Sequence, residues 1–188
     1  MSSSLGFFAS QISGHLYTLT GSYDALATAT VTSGGASTIT FSSIPSTYRH
    51  LQIRALAQVN SGSTSTGGIR FQFNSDTGSN YSLHRLYGTG SAVSADGYSS
   101  QTTAYAGTVS GSGSTNIFGA SVIDVLDYAN TNKNKTIRTL GGADTNGAGI
   151  IMFPSSAWYN TSAINTITVT SDSGNFTQYS QFSLYGVK

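Results

Sequence analysis

Cysteine is missing from all 188 residues, and so is glutamate: each of the seven acidic residues is an aspartate. Without cysteine there are no disulfides and no cysteine–zinc sites, while the compartment stays open. Charged residues make up 8% of the chain, against roughly 25% in ordinary globular proteins. Ser, Thr, Asn, Gln and 22 Gly supply the polarity instead, a mixture poor in helix formers and rich in turn and strand residues. No apolar stretch approaches the ~18 residues of a membrane span, so no membrane insertion is expected. The opening MSSSLGFFASQISG lacks the basic start and long apolar run of a secretory signal. A net charge of +1 from scattered residues leaves no electrostatic footprint for nucleic acid. The one cationic cluster, Lys133, Lys135 and Arg138 in NTNKNKTIR, is expected to be a solvated loop rather than a phosphate patch.

What the chain does have is period-two patterning. Ile39 and Phe41 alternate with threonines and serine in STITFSS. Leu51, Ile53, Ala55 and Val59 share one face of RHLQIRALAQV, with His50, Gln52, Arg54 and Gln58 on the other. Ile69, Phe71 and Phe73 alternate with Arg70, Gln72 and Asn74. Each pattern predicts a half-buried strand whose register is fixed by its apolar set. The run NIFGASVIDVL (Asn116 to Leu126) is almost continuously apolar, as a strand buried on both faces would be; a short buried helix is the alternative, against which the β-branched content argues. Asn146-Gly147 sits between two candidate strands, a strong hairpin signal. Ile167 with Val169, and Phe182 with Leu184, add inward positions near the C-terminus. Gly/Ser/Thr-rich segments such as TSGGAS and SGSGST separate these runs as loops.

The prediction is an all-β fold of eight to ten strands, an antiparallel β-sandwich of jelly-roll type, with a closed barrel as the alternative. One domain is expected over residues 15–188, preceded by an N-terminal arm, residues 1–14. The arm's apolar cluster, Leu5, Phe7 and Phe8, is a candidate assembly contact, because exposed apolar patches mark contact sites.

The densest collection of reactive residue types is RFQFNSDTGSNYSLHRLYGTG, Arg70 to Gly90. Asn74, Asp76 and Gly78 mimic the start of a calcium loop. Yet the acid expected eleven positions on is Arg85, and the loop glycine is displaced. The better reading is a structural turn: Asn74 and Asp76 bond their own backbone, and Gly78 takes a positive φ. YSLHRLYG then continues as an extended run or a short irregular helix across the end of the sandwich. His15, His50 and His84 lack metal-ligand spacing. No Gly-x-Ser-x-Gly elbow occurs. The nearest acid pair, Asp124 and Asp127, is three residues apart, which in a strand means opposite faces, with one of the two a strand-end turn residue. These residues assign no catalytic, metal-binding or cofactor-binding group. Trp158 and Tyr159 are candidates for glycan stacking or subunit contact, against the alternative that such rings fill the core.

Three blocks, ATVTSGGASTITFSSIPSTYRHLQIR, RFQFNSDTGSNYSLHRLYGTG and INTITVTSDSGNFTQYSQFSLYGVK, together resemble a recurrent virion protein of tailed bacteriophages, common in cyanophage and other marine phage genomes. The shared pattern is a strand ending in Ile-Pro near a Tyr, then RFN-D-GSNY, then a terminal LYG strand. The resemblance implies a non-enzymatic structural component of the virion: a tail or neck fibre, a baseplate-associated protein or a head decoration protein. It implies partners among other capsid or tail proteins and a closed homo-oligomer, with a trimer expected. A host-surface glycan is the alternative ligand, and a polysaccharide depolymerase the more distant alternative. Ser75 departs from the resemblance, which leads one to expect Gly there and so puts a strict positive-φ requirement in doubt.

Overall fold

A computed structural model describes residues 21–61, 66–113 and 115–188; the arm cluster Leu5, Phe7 and Phe8 lies outside the described residues. Two sheets face each other. The larger runs β1 (Tyr23–Thr30), β12 (Gln181–Val187), β3 (His50–Val59), β8 (Gly119–Leu126), β9 (Lys135–Asp144), β10 (Gly149–Trp158), β5 (Tyr81–Gly88) and β6 (Val93–Gln101), with every neighbouring pair antiparallel. The smaller runs β2 (Thr38–Phe41), β11 (Ile167–Ser171), β4 (Thr66–Phe73) and β7 (Ala104–Gly111), again antiparallel. One short parallel contact, Gln58 to Ser110 and Val59 to Gly111, ties β7 to the end of β3. The described residues contain no helix. The fold is an all-β sandwich of jelly-roll type.

The core follows the period-two patterns. Leu51, Ile53, Phe71, Phe73, Ile167, Val169, Phe182 and Leu184 are all buried in one cluster between the sheets. Asn146 and Gly147 both have positive φ, and the Thr145 amide donates to the Ala148 carbonyl at 2.8 Å, closing the β9–β10 hairpin as a two-residue primed turn.

The described residues form twelve strands rather than eight to ten, because β1, β6 and β7 are written largely in Ala, Gly, Ser and Thr, which hydropathy does not flag. The correction is sharpest for β7. Its sequence, AYAGTVSG, is buried at every position, whereas β8, expected to be buried on both faces, alternates buried and more exposed residues. Small side chains let β7 press against the larger sheet. A Cβ on Gly107 would stand 2.7 Å from Ser121 Oγ, and the Ser121 and Ser156 hydroxyls donate to the β7 carbonyls of Thr108 (3.0 Å) and Tyr105 (2.9 Å). A strand buried this way needs small residues and matched hydroxyls more than it needs apolar bulk.

Two further expectations are corrected. YSLHRLYG does not cross the end of the sandwich; it is β5, paired on both sides within the larger sheet. Nor is Lys135 solvated: it opens β9 fully buried, its ammonium donating to the carbonyls of Asn130 (2.6 Å), Lys133 (2.9 Å) and Thr161 (3.0 Å). Burial pushes its pKa down, with Lys133 adding to the effect, but three carbonyls satisfy all three donors of the charged form.

Candidate functional site: the Asp76 turn and the outer sheet face

At the end of β4 the chain reverses through Asn74 and Ser75, both in the left-handed region (φ 51° and 59°), with the Asp76 amide donating to the Phe73 carbonyl at 2.9 Å. Two consecutive positive φ values define a primed turn. Sequence reasoning placed the positive φ at Gly78 and doubted it at Ser75. The structure reverses this, since Gly78 is not among the positive-φ glycines. Asn74, a residue that tolerates the left-handed region, leads the turn. Its side chain also stitches the turn to the segment before β11: Oδ1 accepts from the amides of Asn165 (2.9 Å) and Thr166 (3.2 Å), and Nδ2 donates to the Ala163 carbonyl (2.8 Å).

Asp76 is the centre of the cluster. Its Oδ1 accepts from the Gly78 amide at 2.9 Å, and its Oδ2 from Asn80 Nδ2 at 2.9 Å and from the Trp158 indole Nε1 at 2.7 Å. Burial pushes this carboxyl up, but the hydrogen bonds from Asn80, Trp158, Gly78 and Asn160 outweigh it and hold it below the usual carboxylate value of 3.8. The oxygens therefore face N–H donors, which a bound cation would have to displace. Tyr81 completes the turn: its phenol accepts from the Phe73 amide (3.1 Å) and donates to the Asp76 carbonyl (3.2 Å), and burial pushes its pKa up to about 12. Under the turn, the Phe73 ring centroid lies 5.5 Å from that of Trp158 and 6.2 Å from that of Tyr81. Asn74, Asp76 and Gly78 thus belong to a structural turn, by hydrogen bonds the motif suggested and backbone angles it did not.

Trp158 is corrected as a glycan or subunit contact. It is 1% exposed, its ring inside the core and its one donor on Asp76. Tyr159 is exposed, and its hydroxyl accepts from Ser82 Oγ at 3.2 Å. Asp124 and Asp127 do not converge. Asp124 accepts from Gln52 Nε2 at 2.9 Å, while Asp127, past the strand end with φ 48°, pairs with Lys133 and donates its amide to His50 Nδ1 at 2.9 Å.

Sequence reasoning missed two further features. One is a cleft between the sheets where Arg85 grips Asp96 through two hydrogen bonds (2.7 and 2.9 Å) and Arg70 pairs with Asp172 at 2.8 Å. Both guanidinium carbons stand over the Tyr105 ring, at 5.2 and 4.5 Å from its centroid. The other is the outward face of the larger sheet. Of the eleven exposed large hydrophobic residues described, eight lie there: Tyr23 on the β1 edge, and, on the strands from β3 to β6, Leu56, Val122, Leu140, Ile151, Phe153, Leu86 and Val93. Register aligns the latter seven in two adjacent rows. Val122 pairs with Leu140, and Phe153 with Leu86; one step along, Ile151 faces Gly142 and Gly88, and Gly88 faces Val93. A hollow of about 620 Å³ opens over the Gly142–Gly88 row and runs toward the Asn146-Gly147 hairpin, lined by Gly88, Gly142, Val122, Leu140 and Ile151 among others. The pattern could have been found in sequence by taking the polar-side positions of each strand and asking which were apolar. Comparison of the chain with protein-family models, with curated proteins and with solved structures returned no match.

Proposed function

We propose that this protein is a non-enzymatic structural component of a tailed-phage virion, a β-sandwich subunit exposed on the particle as part of an appendage or as a head decoration. The observation that carries the reading is the use made of FNSDTGSNY, the block most specific to the resemblance. Its polar groups, partly or fully exposed apart from buried Tyr81, bond to the fold itself: Asn74 holds the segment before β11, Asp76 caps Gly78, Asn80 and the Trp158 indole, and Tyr81 closes the end of β4. A recurrent motif whose groups satisfy one another serves persistence of the fold. With 8% charged residues, the chain depends little on salt for that persistence. The test is labelling of purified phage particles with an antibody to this chain. Decoration of a fixed substructure is expected; particles that contain none of the chain would overturn the reading.

A second reading, recognition of a host-surface glycan, has one observation in its favour. Next to the arginine pair, Tyr98 and Gln101 open on a cleft of about 250 Å³ lined also by Arg70, Arg85, Leu83 and Tyr105, with the Tyr98 ring about half exposed. Saccharide sites join a ring face to planar polar groups in this way. Glycan-array binding that Tyr98→Ala abolishes would support it; no binding by the intact chain would remove it.

A further inference from the structure

The outward face of the larger sheet is divided crosswise. Toward the Asn146-Gly147 end stand the two apolar rows; toward the other end the next row is polar, running Gln52, Asp124, Arg138, Ser155, His84 and Gly97 across six strands. Arg54, at the β3 end of the Val122–Leu140 row, donates its Nε to Gln52 Oε1 at 3.0 Å, and Gln52 Nε2 donates to Asp124, so the β3 end of the polar row is bonded within the face. From the geometry we infer that this face is the contact surface between two copies of the chain, the apolar rows meeting each other and the polar row forming the rim. The inference deepens the structural reading above and rests on it only for the expectation that copies meet.

Three observations favour a second copy. The first is area. Six strands at ~4.8 Å spacing and two rows about 7 Å apart make an apolar patch of about 400 Å², and the polar row brings the face to about 600 Å². That approaches the about 800 Å² each partner gives to a standard interface, with the apolar centre and polar rim such interfaces have. A patch this size is too wide for a small ligand and lies within the size range in which a monomer's largest patch is often functional.

The second is charge. The charged residues on the face are Arg54 and Arg138 against Asp124 and Asp144, two of each sign. A neutral face with both signs does not repel its own copy, whereas a strongly charged partner would find no complement on it. The third is shape. Ile151 and Phe153 project, 64% and 50% exposed, beside the hollow that runs past Gly88 and Gly142. A two-fold axis through the face brings the projections of one copy to the hollow of the other, as an isologous contact requires.

The test is sedimentation velocity on the full chain at micromolar concentration, with thermal unfolding measured in parallel. The intact chain should associate. Leu140→Asp with Ile151→Asp should weaken association roughly a hundredfold, the scale expected when two central anchors are lost. Leu140→Thr with Ile151→Thr keeps strand propensity and guards against misfolding; it should weaken association in the same direction. Thr40→Asp, an exposed change on the smaller sheet, should leave association intact. Three results overturn the inference: an intact chain that is monomeric, outer-face variants that fold and still associate, or deletion of residues 1–20 turning a monomer into an oligomer, which would make that segment the occupant. Particle labelling fails or succeeds independently, so a chain that associates through this face yet is absent from particles overturns the virion reading alone.

Discussion

At the Asp76 end of the sandwich and on the outer face of the larger sheet, opposite rules hold. Around Asp76 a partly exposed polar motif is bonded into the fold, with donors and acceptors matched across β4, the segment before β11, and the end of β10. On the outer face, apolar residues at the solvent-facing positions of six strands have no partner of their own kind within the sheet opposite. Sequence polarity would assign the first region to the surface and the second to the core. Connectivity adds what polarity does not show: a surface carboxylate can anchor buried rings such as Trp158 when its bonds are met, and an apolar row is left outside when the inward positions are already filled. The comparison implies that substitutions near Asp76 act on folding, and substitutions on the outer face act on association.

The largest effect is expected at Trp158. Truncation to Ala removes the ring that contacts Phe73 and Tyr81 and should cost about 3–5 kcal/mol in denaturant unfolding. Trp158→Phe keeps most of the ring and loses the bond to Asp76, so it should cost clearly less. Next is Asp76→Ala, which leaves the buried indole N–H without its acceptor while the exposed Asn80 amide turns to water, a penalty of about 1–3 kcal/mol. Were Asp76→Ala neutral, the turn would be a decorated loop and the contrast with the outer face would collapse.

The same carboxylate gives a pH dependence of defined sign. Its pKa is lowered in the fold relative to the ordinary value of 3.8, so the unfolded chain binds the proton more readily. The stabilisation is present above about pH 4 and is lost as pH falls through the folded value. Asp96, held down by Arg85, and Asp127, held down by Lys133, move in the same direction. Unfolding midpoints measured from pH 7 to 3 should therefore fall on acidification, and Asp76→Asn should flatten part of that fall.

Much of the fold was legible because the inward rows of β3, β4, β11 and β12 carry large apolar residues, and Asn146-Gly147 names its own turn. The small-residue strand β7 was not legible, because its burial depends on Ser121 and Ser156 reaching it from another sheet, a relation with no local signal. The turn was half legible: Asn74 and Asp76 announce backbone bonding, but which residue takes the left-handed angle depends on the ladder that ends at Phe73. Ser75 sharpens this point. Its φ of 59° is a conformation that costs a side-chain-bearing residue about 1–2 kcal/mol, partly offset by the entropy a glycine loses on folding. Ser75→Gly should stabilise the protein by about 0.5–1 kcal/mol, and a destabilised variant would mean that the serine hydroxyl contributes to the turn.

The smallest effect on folding is expected on the outer face, at Leu86. The residue is half exposed and pairs across the sheet with Phe153 and Ala95. Threonine, being β-branched, suits a strand and removes apolar surface already in water. Replacing it should therefore change stability by no more than about 0.5 kcal/mol, the range of ordinary surface changes. A chain diluted to its monomeric form is the right reference, because association adds to apparent stability by mass action. If Leu86→Thr left the melting temperature unchanged at low concentration but lowered it at high concentration, the difference would measure the outer face at work between copies. A large loss at every concentration would mean that Leu86 belongs to the fold itself, and the two regions would no longer divide as folding against association.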